Sequence, residues 1–244
     1  MPSLLIIAAA LATTTPKADQ PAFEPLSETG AQAPSCTADG AVCVSGSREG
    51  AFAVTLHGQP LAQWQATDAD ERASFRVLPR LLRLRGGTGL LVEVGLRRTR
   101  MYSGGNAEVV SRRLMLIRPG QKPVAVLEAP YSSDIAIRAC FDDKDAQRRR
   151  GACHDEYSLE SDLKVGAGTS GGLPDLQLAV LATSFPRGVS RSSDSLAMAP
   201  LGEDDLIEVT DPTCSYVRNY RFDAAAGRYV PDAPLPACTD FTAP

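Results

Sequence analysis

From residue 51 onward, apolar positions recur mainly with a period of two, the spacing that lines one face of a β-strand. Ala51–His57 is a short strand pattern that ends at Gly58, and Leu61–Gln65 carries the single tryptophan, Trp64. Phe75–Arg85 and Leu90–Leu96 flank Gly86-Gly87-Thr88-Gly89, so a hairpin is predicted there. Arg112–Arg118 and Pro123–Glu128 flank Pro119-Gly120-Gln121-Lys122 in the same way. Asp134–Phe141, Tyr157–Val165, Leu176–Thr183 and Ile207–Thr210 continue the series. Tyr216–Phe222 and Arg228–Val230 close it as a hairpin around a turn at Asp223–Gly227.

Helical signals are few. Thr67 and Asp70 form a weak capping pair, which allows one or two turns over Asp68–Ala73. With 20 glycines and 18 prolines punctuating short apolar runs, the expectation is an all-β, mostly antiparallel domain with little helix. Sandwich, barrel and propeller-like forms all fit, although no fixed-period repeat supports a propeller array.

The first residues depart from this pattern. Leu4–Ala12 is apolar, far shorter than the roughly 20 residues needed to span a bilayer. It suits a signal-peptide core, and Ala10-Leu11-Ala12 supplies a small-x-small cleavage pattern, although no Lys or Arg precedes it. Residues 1–12 are therefore expected to be a cleaved signal peptide. Residues 13–35, rich in Thr, Ala and Pro, are expected to be a flexible leader. The folded domain is then 36–244, and its location periplasmic or secreted.

Six cysteines agree with export: Cys36, Cys43, Cys140, Cys153, Cys214 and Cys238. They fall in three local couples, predicting bridges 36–43, 140–153 and 214–238. Zinc is the weaker alternative, because no C-x-x-C spacing occurs and only His57 and His154 could complete a site. No metal and no cofactor is expected. The net charge of −4 gives no reason to expect nucleic acid or an anionic membrane as partner. No later segment reaches 18 uninterrupted apolar residues, so no transmembrane segment is expected in the mature chain.

Several patterns approach catalytic chemistry. Gly168-Thr169-Ser170-Gly171-Gly172-Leu173-Pro174 resembles the trypsin-family segment around its nucleophile, and Ser133-Asp134-Ile135-Ala136-Ile137 resembles that family's aspartate segment. The resemblance implies Ser170 as nucleophile, His57 as base and Asp134 as its orienter. The chain departs from the family in three ways. His57 lies in Thr55-Leu56-His57-Gly58, Thr169 stands before the serine, and only about 35 residues separate Asp134 from Ser170.

The acidic runs Asp142-Asp143-Lys144-Asp145 and Glu203-Asp204-Asp205 lack EF-hand spacing and read as solvated loops. Arg83 with Arg85, Arg98 with Arg100, and Arg148-Arg149-Arg150 could form a basic stripe, which Glu93, Glu108 and Glu128 would partly neutralise. Tyr216, Tyr220, Phe222 and Tyr229 are either core or a carbohydrate platform. The leading expectation is thus an exported binding or scaffolding protein of the bacterial cell envelope, with an envelope protein or a glycan as partner. A secreted hydrolase using the triad or an acidic pair is the alternative.

Overall fold

The computed structural model describes residues 21–28, 33–47, 50–65 and 73–244. The expected signal peptide lies outside them, as do residues 68–72 of the helical turns expected over Asp68–Ala73, whose last residue opens a strand. Among the described residues are fifteen strands: β1 Phe23–Pro25, β2 Ser27–Glu28, β3 Ser35–Cys36, β4 Val42–Gly46, β5 Ala51–Leu56, β6 Gln59–Gln65, β7 Ala73–Arg83, β8 Leu90–Tyr102, β9 Gly105–Ile117, β10 Val124–Arg138, β11 His154–Ser170, β12 Leu173–Phe185, β13 Val209–Thr210, β14 Tyr216–Asp223 and β15 Arg228–Pro231. Two short α-helices, α1 (Asp143–Arg148) and α2 (Thr239–Thr242), and three single 3-10 turns, at Arg85–Gly87, Ser195–Ala197 and Glu203–Asp205, complete the described elements.

The larger sheet has ten strands in the order β1-β7-β8-β9-β10-β11-β12-β14-β15, with β13 also on β12. The smaller sheet runs β2-β3-β4-β5-β6. Every described strand pair is antiparallel, as the period-two pattern requires.

Two cores explain why Leu90–Leu96 lacks alternation. Val92 and Val94 pack with Val42, Val44, Phe52 and Val54 of the smaller sheet. Leu91 belongs to a second cluster with Leu114, Leu163, Leu178 and Tyr220. A strand covered on both faces reads as a continuous apolar run. The β7–β8 turn depends on glycine: Gly89 has φ 150°, and a Cβ there would lie 2.3 Å from the Ile117 carbonyl.

The strands run longer than the apolar pattern indicates. The β8–β9 hairpin reaches Tyr102 and Gly105, and β10 is continuous through Pro130 with register shifts at 125/127 and 130/132. β10 pairs with β9 along its length but with β11 only from Ser132 to Arg138. The sheet therefore forks beside Tyr131. Arg112 bridges the fork: its guanidinium donates to Glu93 at 3.1 Å and to the Ser161 carbonyl at 3.0 Å. Ser161 in turn donates to the Pro130 carbonyl at 2.7 Å.

Part of the segment expected as a leader is paired: β1 pairs with β7, Leu26 is buried, and the Arg80 guanidinium lies 4.5 Å from the Phe23 ring.

Candidate functional site

All three predicted bridges are present: Cys36–Cys43 joins β3 to β4, Cys140–Cys153 closes the loop carrying α1, and Cys214–Cys238 ties the β14–β15 hairpin to α2. No cysteine is free. Zinc therefore loses its thiolates. His154 Nε2 instead lies 2.9 Å from the Gly104 carbonyl, and the described residues hold no metal-binding group of three or more His, Cys, Asp or Glu.

The triad residues occupy three separate places. His57 is exposed in the β5–β6 turn of the smaller sheet, with φ 49° followed by Gly58 at φ 77°. Positive φ at both central residues is the signature of a type I′ hairpin, which accounts for His-Gly as turn chemistry. Asp134 is exposed on β10, opposite Glu108 and Ser158. Ser170 ends β11 at a hairpin tip opposite Leu173. Because Ser158 and Ser170 share one strand, roughly 35–40 Å of extended chain separates Asp134's neighbour from Ser170. A triad needs members within hydrogen-bond reach, and these three stand on a turn of the smaller sheet, mid-strand on β10 and at the end of β11.

The remaining candidates have structural partners. Asp142 caps α1 by accepting from the Asp145 amide at 2.9 Å, and Asp145 accepts from the Phe141 amide at 2.9 Å. A run expected to be a solvated loop is thus a capped helix. Glu203 pairs with Arg150 at 2.6 Å, and Asp205 accepts from the Gly202 amide. Among the arginines, Arg83 lies between Glu24 and Asp39, and Arg97 pairs with Glu108. Of the arginines expected in a basic stripe, Arg83 and Arg150 are thus paired with carboxylates. Tyr220 and Tyr229 are buried, and the Phe222 and Tyr229 rings meet edge-on at 5.4 Å. The aromatic cluster is therefore core.

A different site comes from the segment preceding the Gly-rich hairpin. The β11–β12 register shifts between Val165 and Thr169, leaving Gly166, Ala167 and Gly168 without ladder partners. Asp175 sits over this bulge. A Cβ on Gly168 would approach the Asp175 carboxylate to 2.3 Å, and one on Gly166 would meet Asp175 backbone at 3.3 Å. Both glycines make the room that the carboxylate occupies. Its Oδ1 is buried and accepts no hydrogen bond in the protein.

Around Asp175 opens a cleft of about 610 Å³, lined also by Asn219, Arg221, Phe222, Asp223 and Asp232. Asn219 donates to Asp232 at 2.9 Å, and this hydrogen bond holds the Asp232 carboxyl below its ordinary value. Gln177 donates to the Asn219 side chain at 3.0 Å. Asp223 accepts from the amides of Ala225 and Ala226, fixing the β14–β15 turn. Below the cleft, the Tyr229 hydroxyl donates to the Pro174 carbonyl at 2.8 Å, and burial pushes its pKa up, with Asp175 adding to the shift.

No family model, no curated protein and no solved structure matches this chain. Its chemistry must therefore be read from its own residues. A β fold with three disulfides is compatible with export, and no described helix is long and apolar enough to cross a membrane. Asp175 carried no motif that would have singled it out in the sequence. Its signal was the Gly166-Ala167-Gly168 spacing inside a strand, the mark of a bulge or a close approach.

A second, smaller cleft of about 300 Å³ holds Glu156 and Glu208 beside Ser158, Thr183 and Ser184. Thr183 donates to Glu208 at 2.5 Å, so one member of this carboxylate pair is already engaged by the sheet.

Proposed function

We propose that the chain is an exported binding or scaffolding protein of the bacterial cell envelope and that it does not hydrolyse its ligand. The observation that carries this reading is the dispersal of His57, Asp134 and Ser170 over a turn, a mid-strand position and a hairpin tip. Without a base in reach, the Ser170 hydroxyl keeps the weak nucleophilicity of an ordinary serine. The three local bridges fit a protein that persists outside a reducing compartment.

The test is covalent. A fluorophosphonate probe that labels activated serines should leave the folded protein unmodified. Labelling that disappears in Ser170→Ala would establish the hydrolase reading instead.

A further inference from the structure

An antiparallel sheet keeps its solvent face polar by alternation, and on β12 and β14 that pattern breaks. Leu181 and Val217 point outward and are 51% and 53% exposed. Val217 is paired with Ala179, which stands two residues before Leu181 on the same face, so the three side chains form one apolar row. Resting on the binding-protein reading above, we infer that this face docks a segment of a partner protein in which lysine or arginine alternates with aliphatic residues.

The apolar row lies beside an acidic one. On β11, Glu160 is opposite Leu181 and Asp162 is opposite Ala179. Asp134 of β10 faces Ser158, the residue midway between Glu156 and Glu160. From the other side, the Glu208 carboxylate accepts from Thr183, the ladder partner of Ser158. The small cleft that holds Glu156 and Glu208 therefore opens on the same face. Neighbouring cations are already placed: Arg97 on Glu108, and Lys164 and Arg80 on Asp162. Asp134, Glu156, Glu160 and Glu208 are all exposed and have no cationic partner among the described residues. Arg187 and Arg221, at the borders of the face, make no ion pair with them.

Together the two rows select the occupant. Exposed ion pairs add little affinity one by one, so covering Leu181 and Val217 supplies binding while the carboxylates choose the sign of the partner. Glu156 and Glu160 stand about 13 Å apart along β11, and the apolar row runs about 5 Å to the side. An extended chain with side chains of both kinds covers that span. A polyamine reaches the carboxylates without covering the apolar row. A second copy of this chain would set carboxylate against carboxylate, and an anionic lipid surface would meet the same repulsion.

Amide NMR on the full chain tests this with a hexapeptide alternating lysine and leucine. A lysine–serine hexapeptide keeps its charge, and a glutamate–leucine one keeps its apolar groups. The lysine–leucine peptide should shift amides around Glu160, Leu181 and Val217, and each control should bind at least about tenfold more weakly. Leu181→Ser with Val217→Ser should weaken binding about tenfold, and Glu156→Gln with Glu160→Gln about fivefold, with a flatter dependence on salt. All four positions are exposed, so melting temperatures should stay unchanged. Absence of shifts, shifts centred on another face, a lysine–serine peptide that binds as tightly, or affinity kept by either double variant would each overturn the inference. Cleavage of the peptide by the wild-type protein would instead contradict the non-hydrolytic reading, with the shift map and the variants still deciding the surface.

Discussion

Arg112 and Glu93, on neighbouring strands β9 and β8, are both wholly excluded from solvent and joined at 3.1 Å. Arg80 completes the set by donating to both Glu93 oxygens, at 3.0 and 3.2 Å. The Tyr131 ring lies 5.0 Å from the Arg112 guanidinium. Burial pushes the Arg112 pKa down from its ordinary value, and Glu93 opposes that shift. Removing one partner of such a pair leaves an uncompensated buried charge. Glu93→Leu alone, which strands the wholly buried Arg112 guanidinium, should therefore destabilise by about 3–5 kcal/mol, whereas the double change Glu93→Leu with Arg112→Met should cost far less. Urea unfolding of the two variants measures the difference.

The hairpin at His57 gives a second expectation. Asn is better suited than His to a positive φ in a type I′ turn. His57→Asn should leave the protein as stable or raise its stability by about 0.5 kcal/mol, read from the urea midpoint. A loss above about 1 kcal/mol would mean that the imidazole makes a contact beyond turn chemistry.

Alkaline pH should loosen the core. Burial pushes Tyr220 up to about 12, and Tyr157 and Tyr229 are shifted in the same direction. A tyrosine raised on folding keeps its proton when the unfolded chain has lost it. Its contribution is thus complete below the ordinary value near 10 and is lost as pH rises toward 12. The melting temperature should fall across that window. The Tyr220 hydroxyl is also buried without a partner, so Tyr220→Phe should be neutral or stabilising and should flatten the fall.

Much of this fold was legible because its determinants are local. The hairpins follow from alternating residues around glycine turns, and the bridges follow from cysteines near in sequence. Glu93 shows where local reading stops. It stands inside Leu90–Leu96, and nothing adjacent reveals that its partners are Arg80 and Arg112 on the flanking strands. The cleft was hidden for the same reason, since Asp175 and Asn219 meet only once β12 pairs with β14. The Ser170 segment misled in the opposite direction. Its glycines serve a hairpin tip, where Gly171 packs closely on Phe222.

The disulfides differ in the loops they close. Replacing Cys214 and Cys238 by serine should cost about 3.5 kcal/mol, and replacing Cys36 and Cys43 about 2.5 kcal/mol, as their sequence separations of 24 and 7 imply. Chemical denaturation of the two double variants orders them.

Export and oxidation together are tested by expressing the full chain in a bacterium and fractionating the cells. The recovered protein should be periplasmic or secreted and begin at Thr13. Its cysteines should resist alkylation, and non-reducing peptide mapping should return 36–43, 140–153 and 214–238. Protein retained in the cytoplasm, with Met1 in place and six alkylatable thiols, would contradict the account.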